Sequence, residues 1–153
     1  MALIDEIHEH RNGDVINKLN LGTKGRRQPL ILEITNAGFD RASVCWAEHE
    51  ISVKLLEGVH AEDERFAYVC QLDPCEPCRL EGHTQPNDGC EACDDWRDER
   101  TWIKANLNLG ISIKTKYVRG LVREAMAMPT KRDIVLRLNF CIWTAAHLTW
   151  IPR

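Results

Sequence analysis

Four of the seven cysteines fall in one short segment, as Cys75-Glu-Pro-Cys78 and Cys90-Glu-Ala-Cys93, two CxxC pairs separated by 11 residues. A CxxC turn aims two thiolates at one centre, and two such turns facing each other make a tetrahedral Zn²⁺ site. The pairs predict a structural zinc on Cys75, Cys78, Cys90 and Cys93, because four thiolates leave no open position for a catalytic water. Gly82, Gly89 and the prolines allow the spacer to reverse, and His83 could replace one sulfur, although inside the spacer it reads as a solvated loop histidine. The alternative is a reduced, metal-free loop. Glu91, Asp94, Asp95, Asp98 and Glu99 surround the segment, which argues against phosphate binding there and for a stabilising clip or a subunit contact. Cys45, Cys70 and Cys141 stand alone in apolar surroundings.

The second group opens the chain. Met1 to Ile4 is apolar and ends in Asp5-Glu6. An apolar strand ending in Asp-Glu is what a P-loop NTPase needs at its second nucleotide motif: the Asp holds Mg²⁺, and the Glu polarises the water that attacks the γ-phosphate. On the pair alone, the simpler reading is a buried strand whose acidic end marks where solvent begins. His8 and His10 flank Glu9 without H-E-x-x-H spacing, so they read as polar residues following the strand.

A longer pattern surrounds the pair. LIDEIHEH, a helix, and then GRRQPLILEITNAG together resemble the second half of the ATPase domain of the large terminase subunit of tailed double-stranded DNA bacteriophages. The matching residues are Asp5, Glu6 and His8 for the Asp-Glu-x-His of the family's Walker B strand. Thr35, Asn36, Ala37 and Gly38 match its coupling turn. AEHEISVKLLEG, ERFAYVCQLD, DDWRDERTWIKANLNLGISI and LRLNFCIWT continue the resemblance in order over nearly the whole chain outside the cysteine insert. Leu107 departs from it, where the family usually has proline after Lys-Ala-Asn.

The resemblance implies catalytic Glu6, cofactor-binding Asp5, Thr35 and Asn36, and Mg and ATP in an intact parent protein with endonuclease activity. It implies double-stranded DNA, the small terminase subunit and the portal protein as partners, with a possible homo-oligomeric ring. The place of action would be the cytoplasm of a bacterial host, from a phage or prophage. No G-x-x-x-x-G-K-[ST] occurs, and Gly22-Thr23-Lys24-Gly25 has the wrong spacing, so no loop cradles the phosphates. The expectation is a fragment running from the Walker B motif to just before the nuclease domain, inactive by itself in ATP hydrolysis and DNA cleavage. The other hypothesis is a non-enzymatic, zinc-stabilised interaction module that retains only the scaffold.

The elements that must position these residues suit an α/β fold: the C-terminal half of a P-loop NTPase-type sheet with flanking helices and a zinc-knuckle insert. Strands are predicted at 2–5, 29–34 and 66–72 in one sheet, the first two parallel and adjacent, with helices at 14–21 and 41–57 packed on it. Gly22 is the expected C-cap of the first helix and Asp40 the N-cap of the second. Residues 73–95 form the insert, with little regular structure, and helix-like order resumes at Trp96. A helix over 115–128 gathers Val118, Leu121, Val122 and Ala125, and Thr130 caps a further helix with Ile134, Leu138 and Cys141 inward. The divisions are therefore 1–72, 73–95 and 96–153.

Composition sets the outer limits. In 153 residues, 44% hydrophobic and 28% charged content supports a folded core, and one ordinary domain's worth of chain. A net charge of -3 is not that of a generally basic nucleic-acid coat. Lys24, Arg26 and Arg27 make a compact basic loop, and residues 114–137 hold seven Lys or Arg against two acids. Both read first as solvated faces and second as backbone contacts to DNA. No apolar run nears the roughly 20 residues of a bilayer span, and the N-terminus lacks the pattern of a signal peptide, so the reading is a soluble, cytoplasmic chain without a membrane partner.

Overall fold

The structure, a computed structural model, describes residues 1–80 and 90–144. It divides into two compact units, Met1–Val69 and Cys70–Arg153.

The first unit runs β1 (Ala2–Asp5), α1 (Asp14–Gly22), β2 (Ile31–Ile34) and α2 (Val44–Leu56). β1 and β2 pair in parallel, with Leu3 opposite Leu32 and Asp5 opposite Ile34. Their alternation separates two faces. Ile4 is buried on one, while Leu3, Leu32 and Ile34 on the other are 58%, 47% and 48% exposed. Ile4, Ile7, Ile16, Ala37 and Cys45 are the buried apolar residues of this unit.

Sequence expectations held for the position and direction of these strands and for both helices, with corrections at the caps. Gly22 lies inside the last turn of α1 at φ -71 and its C-cap is Thr23. Ser43, rather than Asp40, is the N-cap of α2, its hydroxyl accepting the Trp46 N–H at 3.2 Å. Asp40 instead accepts the Ala42 N–H at 2.8 Å, in a turn just before the helix. Gly58 ends α2, at φ 71 and with its N–H on the Leu55 carbonyl.

The predicted third strand does not form: among the described residues the only strands are β1 and β2, and residues 66–72 make no regular element. Phe66 and Tyr68 are 88% and 67% exposed, while Leu72 is buried and gives its N–H to the Phe140 carbonyl at 3.1 Å. The apolar run thus contributes one anchor to the helical core instead of a row of ladder partners.

That core belongs to the second unit, which holds α3 (Glu76–Leu80), α4 (Trp102–Ala105), α5 (Thr115–Ala127) and α6 (Pro129–Phe140). Val118, Val122 and Ala125 of α5 meet Val135, Leu136 and Phe140 of α6, joined by Leu72, Trp96, Trp102 and Ile142. The Trp102 and Phe140 rings lie 6.3 Å apart, and the Trp102 Nε1–H donates to the Trp96 carbonyl at 2.7 Å. Asn106 donates to the Asn139 carbonyl at 2.8 Å, fixing the loop after α4 to the end of α6.

Two α6 expectations are corrected. Pro129 occupies the first turn and Thr130 makes no side-chain cap. Ile134 and Leu138 are 48% and 41% exposed, because Val135, Leu136 and Phe140 occupy the inward face. Cys141 is half-buried in a left-handed cap at φ 53, where the turn closes by the Ile142 N–H on the Leu136 carbonyl. From Trp96 to Thr101 the chain makes turns rather than helix, held by Asp95 and Asp98. His83, Gly82 and Gly89 lie outside the described residues.

Candidate functional site

Two places gather chemistry-bearing side chains. The first lies beyond the carboxyl ends of β1 and β2, where open α/β sheets bind ligands. Asp5 closes β1, and Glu6 follows in the left-handed region at φ 54, ψ 50. For a residue with a Cβ this conformation costs about 1–2 kcal/mol. The Asp5 carboxylate accepts the Glu6 N–H at 2.9 Å. The turn carries the chain into a single 3-10 turn, Ile7–Glu9, with Ile7 buried beneath it.

The parallel register that sets Asp5 opposite Ile34 brings the next residues of both strands together. Thr35 Oγ1 accepts the His8 N–H at 3.0 Å and lies 3.1 Å from His8 Nδ1. That same nitrogen is 3.1 Å from Glu6 Oε2, and the His8 side chain is only 4% exposed. Thr35 also donates to the Asn36 carbonyl at 3.0 Å and lies 3.5 Å from Cys45 Sγ. Burial pushes the Cys45 thiol up, leaving it a neutral packing partner beneath the turn. The structure therefore brings Glu6, His8 and Thr35 into one network, with Asp5 and Asn36 adjacent in the chain. The Thr35–Cys45 contact was not legible from the sequence, where Cys45 is one more apolar helix residue.

A second cluster lies within electrostatic reach of Cys45. Glu33, Glu48 and Arg65 form a charged group, with Arg65 ion-paired to Glu48. Burial, then the Glu48 charge, raises the Glu33 carboxyl above its ordinary range, against the opposing pull of Arg65.

The other place is the cysteine segment. The sulfurs of Cys75, Cys78, Cys90 and Cys93 all lie within 4.8 Å of one another. Cys90 Sγ is 3.7 Å from that of Cys75 and 3.8 Å from that of Cys78. A tetrahedral site with Zn–S bonds of about 2.3 Å has S···S edges of about 3.8 Å, so the donor set fits zinc. The Cys75 N–H donates to Cys93 Sγ at 3.2 Å, linking the two CxxC turns. The Ala92 backbone N–H and then the neighbouring sulfurs bring the Cys90 thiol down to about 7, while hydrogen bonds to Cys75 and Cys93 push that of Cys78 well up. Below the cluster, Asp73, Asp94 and Lys104 close its base.

The basic residues of 114–137 are partly neutralised: Arg119 pairs with Glu99 at 2.5 Å, and Lys131 with Glu124. No described helix is long and apolar enough to cross a membrane.

These elements define a terminase-like fold. The crystal structure of the HK97 bacteriophage large terminase superposes with a TM-score of 0.69 over 93% of this chain and 25% of that one, at 19% identity. Protein YmfN of Escherichia coli (strain K12) is 27% identical over 146 residues, which are 95% of this chain and 28% of that protein. The chain thus spans about a quarter of the length of these relatives. No protein-family model matches it.

Proposed function

We propose that this chain works as part of a phage-type large terminase, the ATP-driven motor and endonuclease that cuts viral DNA and packages it into proheads. The observation that carries the reading is the meeting of Glu6 and Thr35 around His8, beyond the ends of two parallel strands. In this reading Asp5 holds Mg²⁺, Glu6 orients and polarises the attacking water, and Thr35 with Asn36 senses the γ-phosphate. Mg and ATP supply the transferable phosphoryl group and its charge neutralisation. The chain's own residues position the water and report the state of the site.

The exposed Leu3, Leu32 and Ile34 support a working form with more polypeptide, since parallel sheets are ordinarily covered on both faces. In such a protein the two strands are the C-terminal half of a P-loop NTPase-type sheet, and the cysteine insert holds one structural zinc. Double-stranded DNA, a small terminase subunit and a portal are the partners this role requires, acting as a ring in the cytoplasm of a bacterial host. The 153 residues lack a phosphate-cradling loop in sequence and by themselves turn over no ATP.

The tests are direct. The purified chain is expected to show no ATP hydrolysis above buffer. In the complete protein, Glu6→Gln abolishes hydrolysis and leaves nucleotide binding largely intact. Substantial turnover by the 153 residues, or hydrolysis retained by Glu6→Gln, overturns this assignment. The cysteine cluster favours a second reading, a zinc-stabilised interaction module without catalysis, which a complete protein inert toward ATP would support.

A further inference from the structure

We propose that His8 is a positioning residue that couples the Glu6 carboxylate to the Thr35 hydroxyl, so that a change at one is passed to the other through a single imidazole nitrogen. The inference rests on the reading of Glu6 and Thr35 given above and adds the regulation of that site. Its basis is a competition. His8 Nδ1 lies 3.1 Å from Glu6 Oε2 and 3.1 Å from Thr35 Oγ1, and the other ring nitrogen, Nε2, lies 3.3 Å from Glu9 Oε1.

A carboxylate only accepts hydrogen bonds, whereas a hydroxyl donates one and a neutral imidazole carries one proton on either nitrogen. Two arrangements satisfy those limits. With the proton on Nδ1, the ring donates to Glu6 and holds its carboxylate, while the Thr35 O–H points to the Asn36 carbonyl 3.0 Å away. With the proton on Nε2, the ring donates to Glu9, and bare Nδ1 accepts the Thr35 O–H. Glu6 then has no donor at that nitrogen and is released. The direction of the Thr35 proton and the grip on Glu6 are alternatives of one network.

The surroundings suit such a relay. The His8 side chain is 4% exposed, so water does not readily substitute for its partners, while that of Glu6 is 53% exposed and free to reach a ligand. The backbone of His8 is held by the same oxygen, its N–H donating to Thr35 Oγ1 at 3.0 Å, so Thr35→Val removes that bond too and the His8→Ala background, which keeps the N–H, controls for its loss. Glu6 sits at φ 54, a conformation the chain does not choose without a constraint on the turn.

The experiment uses the 153-residue chain without nucleotide, labelled so that NMR reads the His8 ring nitrogens and the Glu6 side-chain carboxyl. Thr35→Val removes the hydroxyl that competes for Nδ1. It is expected to shift the His8 tautomer population toward Nδ1–H and to move the Glu6 carboxyl resonance. In a His8→Ala background the same change should leave Glu6 where it was. His8→Asn, whose amide nitrogen donates but cannot accept, should hold Glu6 without letting it respond to Thr35→Val. A purely structural role for His8 would lower stability in these variants but would not make the Glu6 response to Thr35→Val depend on the ring.

The proposal is overturned if Thr35→Val leaves both the imidazole and Glu6 unmoved in a folded chain, or moves Glu6 equally with and without His8. The imidazole readout needs no substitution at His8, so the tautomer shift remains measurable even where a His8 variant fails to fold. Because the coupling is read without nucleotide, its absence counts against the relay alone, whereas hydrolysis by Glu6→Gln in the complete protein counts against the reading of the site.

Discussion

Asp73 and Asp94 clasp each other across the base of the cysteine segment: the Asp94 N–H donates to the Asp73 carbonyl at 3.0 Å, and the Asp73 N–H donates to Asp94 Oδ2 at 3.0 Å. Lys104 joins from α4, its Nζ 2.8 and 2.6 Å from the two Asp94 oxygens. Asp94 thus ties both ends of the insert to the helical core. Replacing it with Ala takes away the acceptor of the Asp73 N–H and the nearer acid of Lys104, both open to solvent, at a cost of about 0.5–1.5 kcal/mol. Thermal denaturation should show that loss, and Asp94→Asn, which keeps an oxygen for the Asp73 N–H, should recover part of it. Equal stability of Asp94→Ala and the parent chain would show that the clasp contributes nothing.

The zinc expectation has its own test. A segment of this length has little core, and a structural zinc supplies on the order of 10 kcal/mol toward ordering it. Protein purified without chelator should contain close to one zinc per chain by elemental analysis. Cys78→Ser, which removes a sulfur lying 3.8 Å from that of Cys90, should make the segment sensitive to protease while α4, α5 and α6 persist. Zero metal in the parent chain would mean the four thiols share a site only as hydrogen-bonding neighbours.

What the sequence showed, and what it concealed, follows from the range of the interactions involved. Local signals were sufficient for β1, β2 and the CxxC pairs, because an apolar strand or a two-residue cysteine spacing acts over a few residues. Residues 66–72 misled because Phe66, Tyr68 and Leu72 have strand-type side chains, yet only tertiary pairing makes a strand. Leu72 found its partner in Phe140, far along the chain, and no local pattern encodes that. The inward face of α6 failed for a similar reason: apolar residues lie all around it, so the period alone cannot choose between Ile134 with Leu138 and Val135 with Phe140. Asp5, Glu6 and Thr35 could be named from sequence, but the role of His8 depends on a register of two strands and on one nitrogen's position. The left-handed backbone of Glu6 carries no compositional mark at all.

That backbone makes a further prediction. At φ 54 a glycine avoids a steric cost of about 1–2 kcal/mol, offset by the greater freedom of glycine in the unfolded chain. Glu6→Gly should therefore be more stable than Glu6→Ala by about 0.5–1 kcal/mol in denaturant titrations, although both lose the carboxylate. The comparison isolates the backbone from the side chain. If Ala proves the more stable, the turn has relaxed out of the left-handed region and the Glu6–His8 geometry is not maintained by the fold.

The two units should answer pH in opposite senses. In the second, the Arg100 hydrogen bonds hold the Asp98 carboxyl below its ordinary 3.8, and those of Arg119 hold Glu99 below 4.5. A depressed carboxylate contributes stability that is present above the unfolded value and lost as pH falls through the folded one. Denaturation midpoints of this unit should therefore be flat down to about pH 4.5 and fall below it, with a shallower fall in Glu99→Gln. In the first unit, burial and Glu48 raise Glu33 above 4.5, so the folded state binds that proton more tightly than the unfolded one. Its stabilising effect is complete below 4.5 and is lost as pH rises through the folded value. Glu33→Gln should remove that dependence and raise stability at neutral pH, by less than about 1 kcal/mol because the group is half-exposed and screened. Probes placed separately in the two units, read from about pH 3 to pH 8, distinguish the slopes. A loss of stability in Glu33→Gln at neutral pH would mean that the ionised carboxylate is held by Arg65 more strongly than burial opposes it, and that the group of Glu33, Glu48 and Arg65 is net stabilising.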